Sequence, residues 1–223
     1  MSVLKDFEQT LAKSERRILS QMTTPMRIQA FLDKLPYSVE MGYRCPFRVL
    51  HEHVAHCFDG ALFAAAALRR LGYPPLILNM LAIVQDDDHI LALYKRNGHW
   101  GAIAKSNFAG LRFREPIYRT LHELVMSYFE QFYNMERKKT LRSYTVPLNL
   151  KAFDKFNWMT SDEPLERIGE RLDEIRKVRI LTRRMITGLS LIDERSYRAG
   201  LVGTNRAGLY QPHKRGARKP DKF

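Results

Sequence analysis

The run Cys57-Phe-Asp-Gly-Ala-Leu-Phe-Ala-Ala-Ala-Ala-Leu-Arg-Arg-Leu-Gly-Tyr-Pro-Pro75 decides the fold, because in it a loop becomes an alanine-rich helix that starts on a cysteine. Alanine and leucine are strong helix formers. Ala61, Ala64, Ala65 and Leu68 fall at helical spacing and make a small-residue face that lets a sheet approach closely. Gly72 is a natural helix stop, and Pro74-Pro75 prevent continuation. A helix start gathers unpaired N–H groups and the positive end of the macrodipole. A thiolate at Cys57 is therefore favoured and its pKa lowered, and the same N–H groups suit an oxyanion. Against this stands the commonest use of a free cysteine, as a small buried filler.

After the prolines the period changes. Residues 76–85, 89–95 and 99–105 are apolar and β-prone, and Arg96-Asn-Gly98 marks a hairpin between the second and third. Upstream, apolar residues at Leu4, Phe7, Leu11 and Ile18 predict one amphipathic helix over 4–22. Thr24 as cap and Pro25 at the first helical position predict another, to Lys34. Residues 46–55 read as loop with a short helix. Downstream, 120–132 has helical spacing of aromatic core residues, 142–150 reads as a strand, and Ser161 caps a charged helix over 162–179. Residues 200–208 read as an extended loop, lacking the Lys-Ser/Thr ending of a phosphate loop.

Cys57, Ala61, Ala67, Leu68, Arg69, Gly72 and Pro74 reproduce the spacing of the cysteine helix in the transglutaminase-like superfamily, which the chain resembles from Cys57 to Asn107. The resemblance implies an α+β fold with a papain/transglutaminase-like core, a cysteine helix packed on an antiparallel sheet, and helical additions at both ends. It implies a cysteine-dependent amide or peptide-bond hydrolase, or an acyltransferase, working through a thioester, with a peptide or protein amide as partner. Cys57 is then the nucleophile and His89, first residue of its strand, the base. The superfamily's third member is an aspartate on the next strand after a Gly-Trp pair. Here Gly98-His-Trp100 carries an inserted histidine, and Ala104 stands where the acid is expected. This leaves a replacement orienter, a dyad, or an inactive fold that binds peptide or nucleic acid. Asn107 is taken as the orienter, in the manner of a Cys-His-Asn triad, and Ser106 shares the strand parity of Ala104. His56, Trp100 and Ser106 are the expected substrate contacts.

His51-Glu-His-Val-Ala-His-Cys57 crowds possible metal ligands, but its histidine spacing is not that of a zincin helix and no paired-cysteine motif supports it. The reading calls for no metal and no cofactor. Two cysteines, Cys45 and Cys57, make no disulfide framework, although a bridge between them is compatible with the sequence. No apolar stretch reaches membrane-spanning length and the first residues lack signal-peptide layout, so a reduced, cytoplasmic protein is expected. The 223 residues divide into an N-terminal helical cover (1–36), the core (37–160), a C-terminal helix and extended segment (161–212) and a basic tail (213–223). The net charge of +13 invites nucleic acid, and the tail carries five basic residues against one acid. A solubilising tail is preferred over nucleic-acid attraction.

Overall fold

The computed structural model describes residues 3–40 and 42–210. Helices α1 (Val3–Thr10), α2 (Lys13–Ser20), α3 (Pro25–Lys34) and α4 (Pro46–Glu52) precede the cysteine helix α5 (Cys57–Arg70). The three central strands follow: β1 (Leu76–Ala82), β2 (His89–Arg96) and β3 (His99–Ile103), then β4 (Arg114–Tyr118). After α6 (Leu121–Met126) come β5 (Leu141–Thr145), β6 (Leu148–Asn149), α7 (Leu165–Glu174), β7 (Lys177–Arg179), α8 (Arg183–Thr187) and α9 (Glu194–Gly200). The strands form an antiparallel sheet in the order β4-β3-β2-β1-β5-β7, with β6 also on β1. The fold is α+β, a cysteine helix packed on an antiparallel sheet with helical additions at both ends.

The central strands are apolar without alternation because both faces of the sheet are covered. Ile77, Ala92, Tyr94 and Ile103 join the α5 side chains in one core, together with Phe7, Leu19, Ile28 and Leu32 from the first three helices. Leu78, Met80, Leu91, Leu93 and Ala102 point the other way, onto Leu124, Val125 and Tyr128. Every residue of α5 from Phe58 to Leu68 is buried. Each of Leu62, Phe63 and Leu68 contributes roughly 1.5–3 kcal/mol by leaving water.

Gly60 brings the first turn of α5 against Lys105, two residues past the end of β3; a Cβ on Gly60 would lie 2.3 Å from that of Lys105. The buried Lys105 ammonium donates to the carbonyls of Leu32 (2.9 Å) and Leu35, which closes the C-terminal end of α3. The 96–98 hairpin has Asn97 and Gly98 both at positive φ, 50° and 79°, as the Asn-Gly pair predicts.

Four expectations are corrected. The single helix over 4–22 breaks at Ala12, whose N–H donates to the Glu15 carboxylate (2.7 Å), so Glu15 starts α2 as a cap. The helix over 162–179 is shorter: it starts after Pro164, ends before Ile175, and its β-branched remainder pairs with β5. The helix over 120–132 ends at Met126 and continues only as a 3-10 turn. The strand over 142–150 is interrupted after Thr145, where Pro147 has no N–H for the ladder. The basic tail lies outside the described residues.

Candidate active site

Cys57 is the first residue of α5, as its sequence predicts. The helix start is built by its neighbours. His56 is the N-cap, its Nδ1 accepting from Phe58 N–H (3.1 Å), and the fully buried Asp59 reaches back to accept from His56 N–H (3.2 Å). Asp59 also accepts from Arg44 N–H (2.9 Å), and the Arg44 guanidinium is held by Glu40 and by Glu52 (2.7 Å). His51 pairs with Glu15 (2.8 Å), and His53 sits in the left-handed turn that ends α4. The three histidines of the 51–56 run thus serve a hydrogen bond to a carboxylate, a turn and a cap. Cys45 and Cys57 are both free thiols.

The Cys57 N–H heads the helix with no hydrogen-bond partner among the described residues. Its sulfur contacts the Asp88 carbonyl oxygen at 3.9 Å and takes a hydrogen bond from Tyr37. Cys57 and His89 line one small cavity of about 90 Å³, with Tyr37, Leu111 and Phe132 around them. They reach it from different sides. His89 shares the parity of Leu91 and Leu93, whose side chains pack on the α6 face, whereas Cys57 comes from α5. They meet at the sheet end because each is the first residue of its element. No hydrogen bond links them: the sulfur faces the Asp88 carbonyl, and the His89 ring is bonded to Leu111.

The group that orients His89 is the main-chain carbonyl of Leu111, 2.7 Å from Nε2. A carbonyl only accepts, so Nε2 carries the proton and Nδ1 keeps its lone pair. Asn107 lies on the same cavity but is committed elsewhere. Its Nδ2 donates to the Asn205 carbonyl (2.9 Å), and its Oδ1 accepts from Asn205 N–H (2.8 Å). This corrects the expectation that Asn107 orients the imidazole. Ser106 lines the cavity with its hydroxyl accepting from Phe108 N–H (3.0 Å). Ala104, at the expected acid position, is buried, with its N–H and carbonyl clamped by the Gln29 carboxamide (3.0 and 2.9 Å).

Trp100 is corrected as a substrate contact. The register pairs it with Lys95, six residues along β2 from His89. At the usual rise per residue that is about 20 Å away. Its ring carries the Lys95 ammonium, 5.1 Å from its centre, at the far end of the hairpin.

Burial sets the protonation states. The Cys57 thiol is pushed up to about 12, by burial first and then by the Asp87 and Asp59 carboxylates, with Tyr37 and Phe58 N–H opposing. The expected lowering by the helix start is therefore outweighed. Burial likewise pushes His89 down to about 4, Arg114 and His56 adding to it, while the Leu111 bond opposes. At neutral pH the site holds a thiol and a neutral imidazole. Asp86, buried beside Thr140, which donates to it, is pushed up to about 6, chiefly by burial.

A segment after α9 closes the small cavity. Thr204 Oγ1 donates to the Asn107 carbonyl (2.9 Å), Asn205 Nδ2 to that of Tyr37 (3.2 Å), and the Tyr210 hydroxyl to that of Val84 (2.7 Å). Gly208 and Tyr210 line the cavity from this strap. On the other side of Cys57 a larger cleft of about 370 Å³ opens between α5 and α7, lined by His56, Tyr43, Asn79 and Asp88 among others. Sequence reading missed Leu111, which acts through a backbone atom, and Asn79, an apparently ordinary strand residue.

The site thus has a cysteine at the start of a helix, followed by antiparallel strands of which the second begins on a histidine, in an α+β fold. The chain is similar to Legionella pneumophila LapG, with 10% identity, 75% of this chain and 98% of that chain covered, and a TM-score of 0.41. It is also similar to EGTA-treated Legionella pneumophila LapG, with 11% identity, the same coverage and a TM-score of 0.40. No family model matches the sequence, and no curated protein matches it. Among the described residues no helix is long and apolar enough to cross a membrane.

Proposed function

We propose that the protein is a cysteine-dependent amide or peptide-bond hydrolase, or acyltransferase, with Cys57 as nucleophile and His89 as base. The observation that carries this reading is the His89 to Leu111 hydrogen bond, which leaves Nδ1 as a proton acceptor on the cavity that Cys57 also lines. In the reaction the thiol turns from Asp88, its proton passes to Nδ1, and the sulfur bonds to the amide carbon. The oxyanion forms opposite the unpaired Cys57 N–H. His89 returns the proton to the leaving amine as the C–N bond breaks, and water or a second amine resolves the thioester. Because both groups rest neutral, proton transfer belongs to the attack itself. The reacting amide is carried on a peptide or protein, and the work requires a reduced thiol.

Alkylation by iodoacetamide, mapped by mass spectrometry, tests this. Cys57 is expected to react, and the buried Cys45, whose thiol is also pushed up to about 12 by burial, to stay unmodified. His89→Ala should slow the Cys57 reaction at neutral pH. Equal labelling of the Cys57→Ala protein, or no effect of His89→Ala, would remove the dyad. The absent acid at Ala104 favours the second reading, a non-catalytic module that binds peptide or nucleic acid. Salt-dependent polyanion binding, undiminished in Cys57→Ala, is the outcome that selects it.

A further inference from the structure

The strap reduces the His89 side of the thiol to about 90 Å³, so the roomier approach to Cys57 is the cleft of about 370 Å³ between α5 and α7. Its lining is unlike the rest of the protein. The chain has 37 lysines and arginines and a net charge of +13, yet neither residue type lines this cleft, while five carboxylates do. Three of them, Glu166, Glu170 and Asp173, fall at i, i+4 and i+7 on one face of α7, with Gly169 between them leaving room. Arg171 on the same helix gives its ion pair to Glu174 (3.2 Å), not to these three. Asp87 and Asp88 stand across from them, on the turn before β2. α7 is fixed in place by Asp162 just before it, which accepts from Cys45 N–H (2.7 Å) and from Arg48.

An independent observation points to a ligand. Asn79, only 4% exposed, lines this cleft beside Ile90; its Nδ2 donates to Asp88 Oδ2 (3.2 Å), and its Oδ1 has no hydrogen-bond partner. It is the one buried side-chain polar atom left so among the described residues. An orphan acceptor of this kind costs about 1–3 kcal/mol, which makes its retention a sign of something that pairs with it. The complement of a neutral acceptor, surrounding carboxylates and two tyrosine rings, Tyr37 and Tyr43, is a group with several N–H donors and a positive charge.

We infer that the cleft between α5 and α7 is the subsite for a cationic side chain, arginine or lysine, of the peptide or protein whose amide meets Cys57. This rests on the proposed function for the link to chemistry, but the binding itself does not. The test uses the Cys57→Ser protein, so that no reaction intervenes, and two small probes, N-acetyl-arginine methylamide and its uncharged isostere N-acetyl-citrulline methylamide. Binding is followed by NMR titration, with the Asn79 side-chain amide as the local reporter. The arginine probe is expected to shift that amide and to bind at least tenfold more tightly than the citrulline probe. The preference should vanish in the Glu166→Gln/Glu170→Gln/Asp173→Asn variant, whose substitutions are all at exposed positions and leave the core intact. Equal affinity of the two probes, shifts that map away from Asn79, or a preference that survives the triple substitution overturns the inference. If Cys57 proves unreactive while the arginine preference holds, the catalytic reading falls and the cationic subsite stands.

Discussion

Stability below neutral pH measures how firmly the fold holds His89 in its neutral form. Its pKa is about 4 in the folded protein against an ordinary 6.5. Between those values the unfolded chain binds the proton and the folded protein does not, so stability falls as pH falls from 6.5 to 4 and then levels off. The gap of about 2.5 pH units corresponds to roughly 3 kcal/mol. Asp86 masks this in the wild-type curve, because its folded pKa of about 6 lies above the ordinary 3.8. Its contribution is fully present below 3.8 and is lost as pH rises through 6, opposite in sign and similar in size. The informative quantity is therefore the stability of wild type minus that of His89→Gln, from urea unfolding at a series of pH values. That difference should decline by roughly 3 kcal/mol on going from pH 7 to pH 4. A difference that stays constant would refute the buried, neutral imidazole and with it the assignment of Nδ1 as the resting base.

Two further predictions concern how the site is held. Gly60→Ala forces a Cβ to 2.3 Å from the Lys105 Cβ, a collision with the stem of a buried side chain rather than a flexible tip. Unfolding should be easier by roughly 1–3 kcal/mol, read from the denaturant midpoint, and an unchanged midpoint would show that α5 and β3 do not approach as described. Asn107→Ala removes both side-chain bonds to Asn205. Limited proteolysis within 204–210 should accelerate, while the His89 imidazole nitrogens keep their NMR signature of a protonated Nε2; a tautomer change in this variant would return Asn107 to the role of orienter.

Local chemistry made much of the fold legible. The alanine face, Gly72 and the prolines delimit α5; Asn97-Gly98 sets the hairpin; Thr24 and Pro25 start α3, with Thr24 Oγ1 accepting from Arg27 N–H (3.3 Å). Where reading failed, a long-range partner decided. Val178 looks like a helix residue by its charged neighbours, but the open edge of β5 takes it into the sheet. Trp100 sits in a motif that suggests the site, and only the hairpin register reveals that it lies at the far end. The thiol pKa could not be read from helix position, since the dipole at a helix start is a modest effect and the burial of Cys57 beside Asp59 and Asp87 is a larger one. Leu111 left no trace because any residue there offers the same carbonyl.

The Leu111 carbonyl also changes what the missing acid means. An aspartate on Nε2 both fixes the tautomer and stabilises the imidazolium that forms when the thiol gives up its proton; a neutral carbonyl fixes the tautomer and stabilises the charge far less. In the proposed dyad the Leu111 carbonyl would supply the orientation that the resemblance expects from an acid at Ala104, without its electrostatic share. Two features bear on that deficit. Asp59 and Asp87 raise the thiol pKa, and the charges that act on the ring, Arg114 and His56, disfavour its positive form. A cationic side chain in the α7 cleft, close to Asp87, would offset those carboxylates and bring the thiol down as it docks. Docking would then raise the reactivity of Cys57 at the moment the amide arrives. Iodoacetamide alkylation of the wild-type protein in the presence of N-acetyl-arginine methylamide and of its citrulline isostere reads this out: acceleration by the first alone agrees with the coupling, and blocking without acceleration by either separates the subsite from the chemistry.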